Sequence, residues 1–271
     1  MDDKIFPEKQ DFTHLIWSRF RHSSGTAGSY LKAYEEQDGI RTYYKLSAYD
    51  RVRGIYGHEC VNELIVDRLL TLLGFEHVPY RLIHADVLID DTPYDTWLCA
   101  SENFRRTGEK KMAFDVFFER EKEKKETPLM FCERMGWQTR VDEMLLVDYL
   151  ILNRDRHGAN IEVLKDSDSR NVRLAPLYDH GVSLLFSCIT EEEVVSFDVM
   201  EDRRIQSFVG SGSASENLRL ICDNPVKKPL KKEDQAYLLD GLDEVIPAFL
   251  QEAIWEMIWK RWVTYENLSN S

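Results

Sequence analysis

Residues 152–160 read LNRDRHGAN and end a segment that is apolar on nearly every side. That segment, Val141–Leu152 (VDEMLLVDYLIL), has the pattern of a helix buried inside a larger lobe. The residues after it bring Asp155, His157 and Asn160 close together in the chain. Polar residues held in a loop at the end of a rigid element are good candidates for function. We therefore expect this loop to carry chemistry.

A second carboxylate follows the loop. Leu174–Asp179 reads LAPLYD, an apolar strand pattern that ends at Asp179. An Asp, an Asn five residues later and a second Asp after a short hairpin form a set that is used in phosphoryl transfer. The first Asp accepts a hydroxyl proton, and the other two residues hold Mg²⁺ against nucleotide phosphates. Because these ligands are hard oxygens, and of the Cys and His residues only His157 lies nearby, Mg²⁺ is favoured over Zn²⁺.

A purely structural interpretation of the same residues is open. Asp155 and Asn160 are of types that cap and turn a helix–strand connection, and Asp179 is of a type that opens a turn. For each residue alone, the structural interpretation is as good as the chemical one. For all three residues together it requires the same coincidence three times, so the chemical interpretation is favoured. A metal-dependent hydrolase using Asp155, His157 and Asp179 is a third alternative. It needs further His or carboxylate ligands, which the sequence does not offer at suitable spacing.

Phosphoryl transfer also needs a cradle for the phosphates, and a Gly/Ser-rich turn lies early in the chain. His22–Tyr30 reads HSSGTAGSY. Glycines let backbone N–H groups approach phosphate oxygens, and hydroxyls add donors. No Gly-Lys-Ser/Thr follows, so this is not a Walker A loop, and alone it is also typical of a hairpin loop. The candidate phosphate-binding residues are Ser24, Gly25, Thr26, Ala27, Gly28 and Ser29.

A phosphate site needs a cation as well, and Lys45 lies inside the predicted strand IRTYYKL. A lysine there indicates either a face that opens onto a cleft or an edge strand that the lysine protects. The next predicted helix, Gly57–Leu73, carries Glu59, Glu63 and Asp67 on one stripe. Periodicity alone does not separate a Lys45–Glu63 ion pair from a solvated polar stripe.

The two halves of the chain differ in predicted secondary structure. The first hundred residues are rich in strands and contain one strong helix, which Gly74 ends at the C′ position. From Arg140 onward helical patterns dominate. The charge run EREKEKKE at 119–126 is typical of a solvated helix end or loop. The remaining predicted elements are strands at Ile40–Leu46, Val78–Ile89 and Trp97–Ala100 and a helix at Ala253–Tyr265.

Charge and composition exclude several classes of protein. The 271 residues include 35 Lys and Arg against 48 Asp and Glu, a net charge of −13. This balance argues against direct binding to nucleic acid or to an anionic membrane. No apolar run approaches the ~20 residues of a membrane span, and the start MDDKIFPEKQ lacks the pattern of a secretory signal. The five cysteines show no CxxC spacing, so we expect reduced thiols in a cytoplasmic protein.

The order of these parts is that of a protein-kinase-like fold, although His-Arg-Asp and Asp-Phe-Gly are absent. The local sequences resemble the HipA-like serine/threonine kinases of bacterial toxin–antitoxin systems. The catalytic loop of that family, Asp-Arg-His-x-x-Asn, is matched by Asp155–Asn160. Its Pro-x-Tyr-type strand before the metal-binding Asp is matched by Pro176–Asp179, and the Asn-Glu pair of its αC-type helix by Asn62–Glu63.

The resemblance implies a role for each matched residue. Asp155 is the catalytic base and His157 orients its loop, while Asn160 and Asp179 bind Mg²⁺. The Asn-Glu match selects Glu63 over Glu59 as the partner of Lys45.

For the nucleotide, the main-chain groups of Glu102 and Phe104 would contact adenine. Arg105 stands where the family often has an acidic residue. Autophosphorylation of the Gly-rich loop is implied at Ser23, Ser24 and Ser29.

The implied fold is α+β and bilobal. Residues 1–104 form an N-lobe with an antiparallel sheet and one main helix, and residues 105–271 form a mainly helical C-lobe. Full-length relatives carry an extra N-terminal subdomain, so the resemblance implies a short form whose missing subdomain is a separate protein. It also implies an antitoxin or a separate regulatory subunit as a partner.

The function that the sequence favours is an ATP- and Mg²⁺-dependent serine/threonine protein kinase acting on a protein hydroxyl. Two alternatives stay open: a nucleotide-binding regulatory module with an inactive kinase-like fold, and a lipid or small-molecule kinase. The substrate protein is not readable from the sequence.

Overall fold

The computed structural model describes residues 4–20 and 29–269. The strands are β1 (Ile5–Phe12), β2 (Ser18–Phe20), β3 (Ser29–Gln37), β4 (Ile40–Asp50), β5 (Gly54–Tyr56), β6 (Arg81–Ile89), β7 (Thr92–Glu102), β8 (Glu109–Ala113), β9 (Asp155–Arg156), β10 (Glu162–Asp166), β11 (Val172–Leu174) and β12 (Gln206–Ser207). The helices are α1 (Glu59–Leu73), α2 (Phe114–Glu121), α3 (Pro128–Arg134), α4 (Gln138–Leu150), α5 (Glu191–Ser196), α6 (Ala214–Asn217), α7 (Asp234–Leu239) and α8 (Ala248–Ser269).

The N-terminal lobe is built on a seven-stranded sheet in the order β1-β6-β7-β4-β3-β2, with β5 paired to β4. The prediction of an antiparallel sheet is wrong at one edge, because β1 and β6 run parallel. Parallel neighbours need a long crossover, and here the chain forms four strands and α1 before it returns as β6. The sequence of β1, IFPEKQDF, is mostly polar and lacks an alternating apolar pattern, so the sequence analysis predicted neither this strand nor its direction.

Helix α1 packs on one face of this sheet, and it ends as predicted. Gly74 takes a left-handed conformation with φ 76°, and its N–H closes the last turn onto the Leu70 and Thr71 carbonyls. The stripe of Glu59, Glu63 and Asp67 is buried, so the solvated-stripe alternative is wrong. A buried carboxylate requires a partner, and each of the three has one; Asp67, for example, receives Lys4 and His77.

The C-terminal lobe is mainly helical, as predicted. Helix α4 is buried along almost its whole length, and α8 packs against it. The fully buried Arg261 of α8 donates to the carbonyl of Tyr149 in α4 and to two carbonyls of the loop at 199–201. The charge run at 119–126 forms the end of α2 and an exposed loop. None of the helices within residues 4–20 and 29–269 has the length and apolarity of a membrane span.

Helix α1 also joins the two lobes. One apolar cluster runs from α1 through α4 to α8 without a break. At the start of α1, the fully buried Asn62 side chain donates to the carbonyls of Gly181 and Ser183 at 3.0 and 2.9 Å. Further along the helix, Arg68 donates to the carbonyls of Leu238 and Asp240. The position of α1 relative to the C-terminal lobe is therefore fixed by side chain to main chain hydrogen bonds at two points along the helix.

We predict that Asn62→Ala lowers the free energy of unfolding by about 2–4 kcal/mol, because two buried carbonyls lose their donors at ~1–3 kcal/mol each. Urea denaturation of the variant measures this change. Asn171→Ala, at an exposed position, serves as the control and should change stability by less than about 0.5 kcal/mol. If Asn62→Ala also lowered the free energy of unfolding by less than about 0.5 kcal/mol, the role of Asn62 in holding α1 against the C-terminal lobe would be contradicted.

Candidate active site

Lys45 lies at the centre of the cleft between the lobes. Strand β4 is an interior strand, and Lys45 pairs with Lys32 of β3 on one side and Cys99 of β7 on the other. The edge-strand alternative is therefore wrong. The Nζ atom lies 2.7 Å from Glu63 Oε1 and 2.6 Å from Asp179 Oδ1. The ion pair between Lys45 and Glu63 that the sequence predicts is thus present, and Asp179 completes it.

These two carboxylates keep the buried lysine charged. Burial alone would lower the pKa of Lys45, but Asp179 and Glu63 raise that pKa well above its ordinary value. Burial would raise the pKa of Asp179, and the ammonium groups of Lys32 and Lys45 outweigh it and hold that pKa far below its usual range. Lysine and carboxylate are therefore ionised together at neutral pH.

Asp179 reaches this position through an unusual backbone conformation. Its φ of 59° is left-handed, and its N–H donates to the Tyr80 hydroxyl at 3.3 Å. The next N–H, that of His180, donates to Glu63 Oε2 at 2.8 Å. The alternative in which Asp179 only opens a turn is wrong, because residues 178–181 form no turn and the Asp179 carboxylate contacts the two lysines.

Asp155 and Asn160 lie in one short loop on the C-terminal lobe side of the cleft. The Asn160 amide donates to the main-chain carbonyl of Asp155 at 2.8 Å, so this residue does close a turn. Both side chains also line the cleft together with Lys45 and Asp179. His157 accepts the Ala159 N–H on Nδ1, and its Nε2 lies 3.6 Å from Asp155 Oδ1. The structural and chemical interpretations therefore both apply to this loop.

A buried ion pair supports the loop from behind. Arg156 is 1% exposed and contacts Asp148 of α4 at 2.9 Å. The same guanidinium donates to the carbonyls of Asn160 and Tyr178, each at 3.1 Å. Because Tyr178 precedes Asp179, Arg156 ties the Asp155 loop and the Asp179 segment to the same helix.

The pKa of Asp155 is raised. The principal cause is burial, and the nearby charge of Asp179 raises it further, while His157 and Arg156 act in the opposite direction. A carboxylate with a raised pKa is a stronger base than an exposed one. The site therefore holds two carboxylates, Asp155 and Asp179, whose pKa values are shifted in opposite directions.

Among the residues that line the cleft, the side chains of Lys32, Glu59 and Tyr30 were not assigned to it from the sequence. Lys32 lies 3.4 Å from Asp179 Oδ2. Glu59 and Tyr30 line the same cleft; Glu59 accepts the Ala48 N–H at 3.2 Å and lies 3.4 Å from the Tyr30 hydroxyl. A signal for Lys32 was available, since Asp38-Gly39 is the sequence of a two-residue hairpin turn. That turn sets Lys32 opposite Lys45, as observed.

Gly181 was missed as well. It follows Asp179 by two residues, in the sequence Asp-His-Gly. A Cβ at this position would lie 3.1 Å from the Glu59 carbonyl oxygen and 3.2 Å from its Cβ. The absent side chain thus allows the Asp179 segment to approach the start of α1.

The predicted phosphate and adenine contacts are only partly described. Ser23, Ser24, Gly25, Thr26, Ala27 and Gly28 lie outside the described residues, and Ser29 begins β3. Glu102 ends β7 and is exposed, and the Phe104 ring packs on Tyr178 at 5.5 Å between centroids. Neither side chain is among the described residues that line the cleft. The main-chain contacts assigned to Glu102 and Phe104 stay a prediction.

Comparison with solved structures establishes the fold. The crystal structure of the proinflammatory kinase CtkA from Helicobacter pylori matches 96% of this chain and 98% of its own, with a TM-score of 0.56 and 16% identity. The PAN3 pseudokinase mutant from Neurospora crassa matches 93% of this chain and 64% of its own at a TM-score of 0.32 and 10% identity. No protein-family profile and no curated protein matches the chain. The predicted bilobal α+β fold of protein-kinase type is confirmed.

We predict a pH-dependent effect of Glu59→Gln on stability. Burial raises the pKa of Glu59 from 4.5 to about 7. Between these values the folded chain holds a proton that the unfolded chain has lost, so the free energy of unfolding falls by about 1.4 kcal/mol per pH unit. The stability that the protonated Glu59 gives the folded chain is fully present below pH 4.5 and is lost as the pH rises through about 7.

The variant cannot titrate at this position. Its free energy of unfolding relative to the wild type should therefore rise by about 3 kcal/mol from pH 4.5 to pH 8. Urea denaturation across this range measures the difference, with the exposed Glu192→Gln as control. A difference that does not vary with pH would show that Glu59 is ionised when buried.

Proposed function

We propose that this chain is an ATP- and Mg²⁺-dependent serine/threonine protein kinase of the HipA-like type. The observation that carries the proposal is the convergence of Asp155, Asn160 and Asp179 on one cleft with the Lys45–Glu63 ion pair. These residues come from four separate parts of the sequence, and phosphoryl transfer needs them together. The fold of the neighbouring kinase structure is consistent with this assignment.

In this proposal the nucleotide lies between the lobes. Lys45, held by Glu63, contacts the phosphates, and the Gly-rich residues from Ser24 to Ser29 cover them. Main-chain groups of Glu102 and Phe104 hold the adenine. The lobe boundary then falls between residues 104 and 105.

The donor set of the cleft fits Mg²⁺. Asn160 and Asp179 offer an amide and a carboxylate oxygen, which are hard ligands. Asp179 is ionised and already faces two cations, the ammonium groups of Lys32 and Lys45. Within the described part of the chain no group of three or more His, Cys, Asp or Glu could hold a metal. A site with few protein ligands suits Mg²⁺, which completes its shell with water and substrate phosphates. When bound, Mg²⁺ neutralises charge on those phosphates.

The acceptor would be a protein hydroxyl held by Asp155. Burial strengthens this carboxylate as a base, and the Asn160 amide fixes the loop that carries it. Asp155 would accept the hydroxyl proton as the oxygen attacks the γ-phosphorus, and ADP leaves. His157 would position the loop through its contact with the Ala159 N–H. Ser23, Ser24 and Ser29 are candidate acceptors within the chain itself.

The wider assignment follows from the resemblance to HipA-type toxins. We propose a cytoplasmic protein whose substrate is another protein and whose activity an antitoxin or a separate regulatory subunit controls. If the protein-kinase proposal fails, the transfer assays would show one of two results. The chain would phosphorylate a lipid or small molecule, or it would bind nucleotide without transfer.

We predict that Asp155→Ala binds ATP with wild-type affinity and loses phosphoryl transfer by about 10²–10⁴-fold or more, since base and positioning are both removed. Calorimetry measures ATP binding, and label transfer from ATP to lysate proteins or to the chain itself measures activity. Asp168→Ala, in an exposed turn, is the control. Wild-type labelling by Asp155→Ala would refute the catalytic role of the loop.

For Asp179→Asn we predict a loss of Mg²⁺-dependent nucleotide binding and a fall in transfer of at least about 10²-fold, because the charged metal ligand is removed. ATP titrations with and without Mg²⁺ measure the first effect. A thermal unfolding curve checks that the variant is folded. If Mg²⁺ enhanced ATP binding as much in this variant as in the wild type, the metal role would be wrong.

A further inference from the structure

Asp179 is engaged by lysines on both of its carboxylate oxygens. Lys45 contacts Oδ1 at 2.6 Å, and Lys32 contacts Oδ2 at 3.4 Å. The two lysines face each other across the β3–β4 pair, so both ammonium groups reach the same carboxylate. A metal ion that binds Asp179 has to share it with these cations.

The two lysines are held unequally. Lys45 has Glu63 as a second partner at 2.7 Å, and its side chain is 17% exposed. Lys32 has the longer contact with Asp179, and its side chain is 32% exposed. It also lies four residues after Gly28, on the strand that follows the Gly-rich residues. Of the two, Lys32 is the one that can leave Asp179 at the smaller cost.

The charges of the cleft support such a movement. Lys32 and Lys45 balance Glu63 and Asp179, and the carboxyl group of Asp155 lines the same cleft. A divalent cation alone would add two positive charges next to two ammonium groups. A nucleotide triphosphate bound together with the cation brings negative charge for Lys32 to pair with.

We propose that Lys32 is a displaceable counter-ion of Asp179 that pairs with the nucleotide phosphates when nucleotide binds and so releases Asp179 to the metal ion. Resting on the proposed function, this adds a residue that couples the two ligands. Lys32 weakens the binding of free metal, because it competes for Asp179. It strengthens the binding of the nucleotide, because it pairs with the phosphates.

The two effects have opposite signs, and Lys32→Met separates them. Removing one charge in contact with a carboxylate changes its affinity for a cation by about tenfold or more. We expect Lys32→Met to bind Mn²⁺ about tenfold more tightly than the wild type in the absence of nucleotide, measured by electron paramagnetic resonance of the free ion. We expect it to bind metal-free ATP about tenfold more weakly, measured by calorimetry with EDTA present.

Two further variants control the experiment. Lys32→Arg keeps the charge and should behave like the wild type in both titrations. Lys9→Met removes one positive charge from an exposed ion pair of β1 and should leave both affinities unchanged. Thermal unfolding curves of the three variants check that each is folded.

The possible outcomes distinguish this inference from the proposed function. Wild-type ATP binding with unchanged Mn²⁺ affinity in Lys32→Met would overturn the inference and leave the kinase proposal standing. Weaker Mn²⁺ binding in that variant would also overturn it. A wild-type protein that binds neither ATP nor Mn²⁺ would refute the proposed function, and the inference with it.

Discussion

The arrangement of the cleft depends on one buried ammonium group, that of Lys45. It lies between Glu63 of α1 and Asp179 of the C-terminal lobe, while its own backbone belongs to the centre of the sheet. A buried charge is tolerated only when it is paired, and breaking such a pair costs about 3–5 kcal/mol. The requirement to keep Lys45 paired therefore fixes the sheet, the helix and the Asp179 segment relative to one another.

A second buried cation does the same for the loop that carries Asp155. Arg156 joins Asp148 of α4 to the carbonyls before Asp179 and at Asn160. The side chains that would act on substrate are thus placed by residues that lie behind them. Because the buried Arg156 guanidinium is paired with Asp148 and donates to the Asn160 and Tyr178 carbonyls, these backbone groups are satisfied by a side chain of the protein instead of by solvent.

The local parts of this site were predictable, and their assembly was only partly so. Spacing and residue type predicted the Asp155 loop and Asp179, and helix periodicity with Gly74 predicted α1. The choice between an ion pair and a solvated stripe for Glu63 depended on tertiary packing, which periodicity does not encode. The parallel edge strand β1 was missed because its sequence, IFPEKQDF, is mostly polar and exposed and does not show the alternating apolar pattern of a strand. The position of Lys32 opposite Lys45 could have been predicted from the sequence, because the Asp38-Gly39 turn fixes the register of β3 and β4.

The Lys45 pair constrains how the chain could be regulated if it acts as the proposed kinase. Displacement of the helix that carries the paired glutamate is one way in which kinases are switched off. Here α1 is fixed to the C-terminal lobe by Asn62 and Arg68, and Glu63 of the same helix is paired with Lys45. Moving α1 would break these bonds and also leave Lys45 and Glu63 buried without each other. In the proposed function, a regulatory partner would therefore act at lower energetic cost at the mouth of the cleft, where nucleotide and acceptor would enter, than at α1. In the proposed function, the same pairing leaves the exchange of cations at Asp179 as the rearrangement that nucleotide and metal would require.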